Sequence, residues 1–227
     1  MMKVYAEFIE DDGFQFRTKA LLQFGDSWDL IGSIVMKNPG GAKPGEIITK
    51  ENSEKLNQFY NKEIEQKNWS FTNADNTMNN ISAIFNGNYI GYNRELNGII
   101  QIFNLSNICD TNVDNAHKNG NLTKSKFLLP NINETIEQFK DRPVYLGFGD
   151  FYTNKKSNHF NVLKNSAQKL FEFVKNSKND YLEDDYLIDE LYYHKNSFYH
   201  PQYLKIAKPH ILENYLPTLE KFFKLYE

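Results

Sequence analysis

The sequence contains a single cysteine, Cys109, among its 227 residues. One cysteine cannot form an internal disulfide, and it excludes zinc sites built from several cysteines. We expect Cys109 to act as a small, buried apolar side chain. The shortage of cysteine is typical of proteins from a reducing compartment, so we expect a cytoplasmic location.

Long apolar runs are missing as well. No stretch approaches the roughly 20 apolar residues of a membrane-spanning helix, and residues 1–12 lack the apolar core of a signal peptide. No glycine-rich phosphate-binding loop and no Gly-x-Ser-x-Gly motif occurs, which weighs against P-loop nucleotide hydrolases and serine hydrolases. Apart from His200, the histidines have no carboxylate or cysteine at convincing metal-ligand spacing, so we expect no metal site.

An excess of positive charge is also absent. Lys and Arg number 26 against 29 Asp and Glu, which gives a formal net charge of −3. This balance is not that of a general nucleic-acid binder. Acidic side chains concentrate in residues 183–190, which we interpret as a solvated face, and the rest of the chain is mildly basic.

Apolar and aromatic side chains are plentiful. They make up 40% and 15% of the chain, with 18 Phe and 14 Tyr, so there is ample material for a packed core. The length fits one α/β domain with generous loops. We therefore expect residues 1–227 to form a single domain.

Apolar patterns predict strands and helices in alternation. The predicted strands are 20–24, 30–36, 98–105, 144–148 and 190–193, with the first two joined as a hairpin, and the predicted helices are 53–66, 133–139, 161–175 and 209–226. Residues 69–97, rich in Asn and Gly, are predicted to form a long excursion with one helix. This alternation favours a three-layer α/β/α sandwich with a mainly parallel central sheet.

Polar, turn-forming residues follow the predicted strands. Asn38-Pro39-Gly40-Gly41 ends the strand at 30–36, Asn104 ends the next, and Gly149 follows the third, while His200 comes after the last. In parallel sheets, ligands bind beyond the carboxyl ends of the strands. The sequence therefore predicts that these segments meet at one edge of the sheet.

Four blocks resemble domain-of-unknown-function family 1643, found in bacteria and phages. Residues 34–42 resemble its strand and "NPSTA" turn, 102–105 its "NLF" strand end, 146–149 its "WG" strand end and 198–204 its "RHPLYL" element. The order of the blocks is preserved over roughly residues 17–204. This resemblance implies no particular activity.

A more distant resemblance is to the uracil-DNA glycosylase superfamily, which has a parallel sheet between helices. Asn38-Pro39-Gly40 resembles its "NPG" motif, which activates water, and Asn104 matches an Asn that reads the base edge in some members. His200-Pro201 resembles the start of its "HPS" motif, whose His stabilises charge on the departing base. Gln202 stands in place of the Ser.

The resemblance implies roles that are chemically reasonable for these side chains. Hydrolysis of an N-glycosidic bond needs a positioned water and stabilisation of charge on the leaving base. We expect Asn38 and His200 to be catalytic and the substrate-binding residues to be Pro39, Gly40, Gly41, Asn104, Phe148, Gly149 and Pro201. Candidates for a ring that stacks on the base are Phe148, Phe151, Tyr152 and Trp69.

Each of these residues also has a purely structural interpretation. Asn-Pro-Gly is common turn chemistry, Asn104 suits a helix cap, and His200 suits an ordinary loop. The functional hypothesis is a DNA glycosylase that removes an unusual or modified base, such as one of phage DNA, without cofactor or metal. DNA or a nucleotide is then the partner, with no membrane and no obligate protein partner.

Two alternatives come from other classes of protein. One is a non-catalytic module that binds a nucleotide or modified nucleic acid, for example in phage defence, and Gln202 and the net acidity favour it. The other is a protein-interaction factor without affinity for nucleic acid.

Overall fold

The computed structural model describes residues 2–149, 158–182, 200–201 and 209–225 of the chain. Within them the strands are β1 Met2–Asp11, β2 Phe14–Phe24, β3 Leu30–Met36, β4 Trp69–Phe71, β5 Gly98–Asn104 and β6 Val144–Leu146. The α-helices are α1 Lys50–Tyr60, α2 Asn76–Phe85, α3 Val113–Leu122, α4 Ile132–Gln138, α5 Asn158–Lys175 and α6 Pro209–Lys224, and 3₁₀ turns cover Gln66–Asn68 and Asn88–Ile90. The predicted α/β class is confirmed, and the strand predicted at 190–193 lies outside the described residues.

The six strands form one sheet in the order β4-β1-β2-β5-β3-β6. Strand β3 pairs in parallel with β5 and β6. The pairings β1–β2, β1–β4 and β2–β5 are antiparallel. The sheet is therefore mixed, and the expected predominance of parallel strands is not confirmed.

The amino-terminal half of the sheet begins with a hairpin that the sequence analysis missed. Asp11 pairs with Phe14, so the loop consists of Asp12 and Gly13, both with positive φ. Asp-Gly is the preferred composition of such two-residue loops because their twist matches that of the strands. Asp12 is held further by hydrogen bonds from the Thr123 hydroxyl and the Lys124 amide at 2.7 and 2.8 Å.

The hairpin predicted between residues 20–24 and 30–36 is wrong, because β5 lies between β2 and β3. Ile102 of β5 is opposite Ala20 on one side and beside Ile34 on the other. All seven residues of β5 are buried. A strand that is apolar on both faces is most stable in the interior of a sheet, and this preference outweighs the short connection between its neighbours.

Helices pack against both faces of the sheet. On one face, α1 contributes Leu56 and Phe59 to a buried cluster with Tyr5, Leu21 and Ile99. On the other, α2 and α6 join the main core, which includes Met78, Ile81, Phe222, Ala6, Ala20 and Ile102. The carboxyl ends of the parallel strands therefore belong to a sheet that is held between helices on its two faces.

Local capping interactions determine where the helices end, whereas the spacing of apolar residues in the sequence predicted these ends only roughly. Helix α1 begins after Thr49, whose hydroxyl accepts from the Asn52 amide, and ends at Asn61 in a left-handed conformation with φ 50°. The predicted helix at 53–66 is therefore real but starts and ends earlier. Among the helices of the described residues, none combines the length and apolar character needed to cross a membrane.

Two histidine rings meet where α3 packs against α5. His117 and His159 are both buried, with ring centroids 5.5 Å apart. The helices approach closely because Gly120 has no side chain, and a Cβ there would lie 2.6 Å from the His159 ring. Burial, followed by the effect of His117, lowers the pKa of His159 to about 4.

We expect this burial to make the folded protein sensitive to acid. Between about pH 6.5 and 4 the unfolded chain protonates His159 whereas the folded chain does not, so stability is lost as the pH falls through this window. Lowering the pH from neutral to about 5 should cost about 1 to 2 kcal/mol at this residue, after allowance for solvent screening. Urea unfolding of wild type and His159→Gln at both pH values measures this, and equal losses in the two proteins would contradict it.

Candidate functional site

The carboxyl ends of β5, β3 and β6 bring the predicted segments to one edge of the sheet. Met36 lies beside Asn104, and the Ser106 amide donates to the Lys37 carbonyl at 2.9 Å. The Gly147 amide donates to the Val35 carbonyl at 2.8 Å. The chain therefore leaves all three strands side by side.

His200-Pro201 reaches the same edge. A Cβ placed on Gly147 would lie 3.3 Å from Pro201 Cδ, so the proline packs directly on the end of β6. His200 is near enough to Lys37 and Asp75 for both charges to influence it. Segments that are far apart in the sequence are therefore neighbours here.

Asn38 has a fixed orientation. Its Nδ2 donates a hydrogen bond of 3.0 Å to the Asp110 carbonyl, and the side chain is half-buried. Because the donor end of the amide is engaged, Oδ1 is the end that is left to accept a hydrogen bond. This is the atom needed to orient a water molecule.

Each of the three residues after Asn38 suits its position for a different structural reason. Pro39 is buried, whereas Gly40 has φ 67° and open space where a side chain would be. The left-handed backbone favours glycine here, and the opening leaves the backbone accessible. Gly41 instead packs against Thr111, whose Cγ2 would lie 2.3 Å from an added Cβ.

Asn104 ends β5 in a buried position, only 3% exposed. Its Oδ1 has no hydrogen-bond partner among the described residues, and the Ser106 hydroxyl is buried without a partner as well. Buried polar atoms without partners are rare because each costs the free energy of its lost hydration. A ligand at this edge can supply hydrogen-bond partners for both atoms.

Arg17 also belongs to this edge, and the sequence analysis missed it. Its side chain is 1% exposed, and Nε and Nη1 have no partner among the described residues. Burial lowers the pKa of Arg17, while Cys109 and Asp75 raise it in part. A β-bulge next to Arg17 sets its direction, and nothing in the sequence alone signals this bulge.

Asp75 connects Arg17 to His200, since its charge acts on both. Its Oδ1 accepts from the Met78 amide at 2.8 Å and thereby caps α2. It also lines a cleft of about 770 Å³ between residues 41–46 and 71–78. The predicted excursion at 69–97 thus brings an acidic group to the site. We call Arg17, Asn38, Asp75, Asn104 and His200 the strand-end cluster.

His200 is neutral at physiological pH. Burial lowers its pKa to about 4, Asp75 opposes this shift, and Lys37 adds to it. A neutral imidazole still has one N–H, so it can donate a hydrogen bond without carrying a charge. Cys109 is equally uncharged, since burial raises its pKa to about 11.

Two stacking candidates are corrected by the structure. Phe148 is 1% exposed and packs in the main core, and Trp69 is fully buried in the cluster around α1. Neither ring offers a face to a base. Gly149 is half-buried with φ 70° and open space beside it, while Phe151 and Tyr152 lie outside the described residues.

In the described part of the chain, no group of three His, Cys, Asp or Glu residues is arranged to hold a metal ion. The chain matches no family model, no curated protein and no solved structure. The two family resemblances therefore stay predictions from the sequence.

Proposed function

We propose that the protein recognises a nucleobase at the strand-end cluster and hydrolyses the N-glycosidic bond of an unusual or modified base. The proposal includes a three-layer α/β/α architecture related to that of the uracil-DNA glycosylases. The observation that carries it is the presence, at one edge of the sheet, of an oriented Asn38 amide and a neutral, half-buried His200. These are the two functions that such a hydrolysis requires from the protein.

In this mechanism Asn38 Oδ1 accepts a hydrogen bond from a water molecule and holds it for attack on the sugar carbon. The His200 N–H donates to a base oxygen that gains negative charge as the bond breaks. The electron pair of the glycosidic bond leaves with the base, and the water oxygen forms the new bond to the sugar. The proton that this water releases neutralises the departing base, so the products are the neutral base and the sugar hydroxyl. Asn104 Oδ1 accepts from an N–H on the base edge and selects the base.

The test is release of free base from a panel of substrates. Single-stranded oligonucleotides that contain uracil, hypoxanthine, or plain or glucosylated hydroxymethylcytosine are incubated with the protein, alongside the corresponding free nucleotides. Chromatography detects released base, and alkali reveals abasic sites in the oligonucleotides. Turnover of one substrate that is slowed at least about tenfold in His200→Ala supports the proposal, because a hydrogen bond to developing charge contributes about this much or more.

The pH dependence provides an independent check on His200. Because its pKa is lowered to about 4, it does not change charge between pH 6 and 8. We therefore expect a base-release rate that is level over this range. A rate that changes with an apparent pKa near 6.5 would assign an ordinary, solvated histidine to this position.

A non-catalytic nucleotide-binding module is the second candidate function. The net charge of −3 and the buried cation Arg17 favour a small anionic ligand over a long nucleic-acid backbone. Binding of a panel member without release of any base would support this candidate.

A further inference from the structure

The guanidinium of Arg17 is an unusual group to find buried without a hydrogen-bond partner among the described residues. It makes no ion pair with a described carboxylate, and two of its three nitrogens are buried without a hydrogen-bond acceptor in the described residues. Removing a charge from water is unfavourable unless a counter-charge and hydrogen-bond acceptors replace the water. The fold therefore keeps a costly group here.

The strand pairing shows which way Arg17 faces. Phe8 is opposite Arg17 and Ala6 is opposite Ala20, so Arg17 and Ala20 lie on the same face of the sheet. Ala20 is opposite Ile102, two residues before Asn104, which places Asn104 on this face too.

The position along the sheet agrees with this direction. The Arg17 amide donates to the Asn107 carbonyl at 2.8 Å, just beyond the end of β5. Arg17 and Asn104 therefore lie on the same face of the sheet, near the same strand end.

The charges around this point favour an anion. Arg17 carries a buried positive charge that Asp75 offsets only in part, and His200 is neutral. Asp75, whose charge acts on Arg17, is the member of the strand-end cluster that lines a cleft of about 770 Å³, a volume within the range of small-ligand sites. An incoming anion would supply the acceptors that the described part of the chain does not offer to Arg17.

We infer that Arg17 binds the phosphate group of a mononucleotide substrate. This inference rests on the proposed nucleobase recognition and narrows its substrate class. Arginine suits phosphate because its planar donors match the phosphate oxygens. The Arg17 side chain is only 1% exposed. A terminal phosphate can reach such a buried side chain, whereas an internal phosphodiester has a nucleotide on each side and is kept at the surface.

The decisive variant is Arg17→Met, with Lys19→Met as its matched control. Lys19 lies two residues away on the same strand and pairs instead with Glu7, so both variants remove one positive charge from β2. Deoxyribose 5-phosphate serves as the probe because its binding does not depend on knowing the base. Deoxyribose and an oligonucleotide with hydroxyl ends distinguish the phosphate from the sugar and from the backbone.

By calorimetric titration, we expect wild type to bind deoxyribose 5-phosphate and not deoxyribose. Arg17→Met should bind it at least about 30-fold more weakly, and Lys19→Met within about twofold of wild type. The oligonucleotide should bind no better to wild type than to Arg17→Met. Equal binding of the sugar phosphate by wild type and Arg17→Met, or none at millimolar concentration, would overturn the inference, as would oligonucleotide binding that depends on Arg17.

The stability of Arg17→Met shows whether Arg17 serves ligand recognition or the stability of the fold. Replacement of an uncompensated buried charge by an apolar side chain of similar length should leave the urea midpoint unchanged or raise it. A lowered midpoint would show that Arg17 is compensated within the fold and would count against the inference. This test of phosphate binding does not depend on base release. Phosphate binding that depends on Arg17, without release of any base, would refute only the proposed hydrolysis. Base release without such phosphate binding would refute only the inference about Arg17.

Discussion

Replacement of Asn38 by alanine is expected to lower the rate of base release by about a hundredfold or more, which is the usual contribution of a group that positions a reacting water. The reason is local: the Asp110 carbonyl holds the Asn38 amide, and its Oδ1 is the atom left to accept from water. Because the water is used in the reaction rather than in substrate binding, kcat should fall while KM changes little. Steady-state kinetics on the substrate found in the panel measures both.

The control for this variant is Asn133→Ala. Asn133 is an exposed residue of α4, so its loss should change neither kcat nor KM. A kcat that is unchanged in Asn38→Ala would remove Asn38 from the mechanism. A raised KM with normal kcat would assign it to binding instead.

The second large effect concerns the core that carries the site. Phe222 of α6 is fully buried, and its ring lies 5.3 Å from Phe85, 5.4 Å from Tyr145 and 4.9 Å from Tyr181 between centroids. Phe222→Ala should lower the free energy of unfolding by about 3–5 kcal/mol, since it removes a large ring from a packed interior. Urea unfolding followed by circular dichroism measures this loss.

Leu122→Ala is the matched control, because Leu122 is 64% exposed at the end of α3. Its effect should stay within about 0.5 kcal/mol. A small effect of Phe222→Ala would mean that α6 contributes little to the core. In that case, α6 would contribute little to stabilising the edge of the sheet where Tyr145 and β6 lie.

The strand-end cluster also explains why sequence reasoning found only part of the site. Asn38 and His200 follow apolar strands or precede proline, and such signals are visible along the chain. Arg17 carries no such signal, since one basic residue in an alternating strand is normally solvated. Phe148 was expected to supply an aromatic face for a base, yet it packs into the core.

The sequence by itself determined the α/β class, the apolar segments that became strands and helices, and the turn chemistry that ends β3 and β5. These features are local, because side-chain spacing and turn residues act over a few positions. The tertiary structure alone decided that β5 lies between β2 and β3, that a bulge turns Arg17 inward, and that Asp75 lies near both Arg17 and His200. Strand order, burial and charge proximity join residues far apart in the chain, so only the folded molecule specifies them.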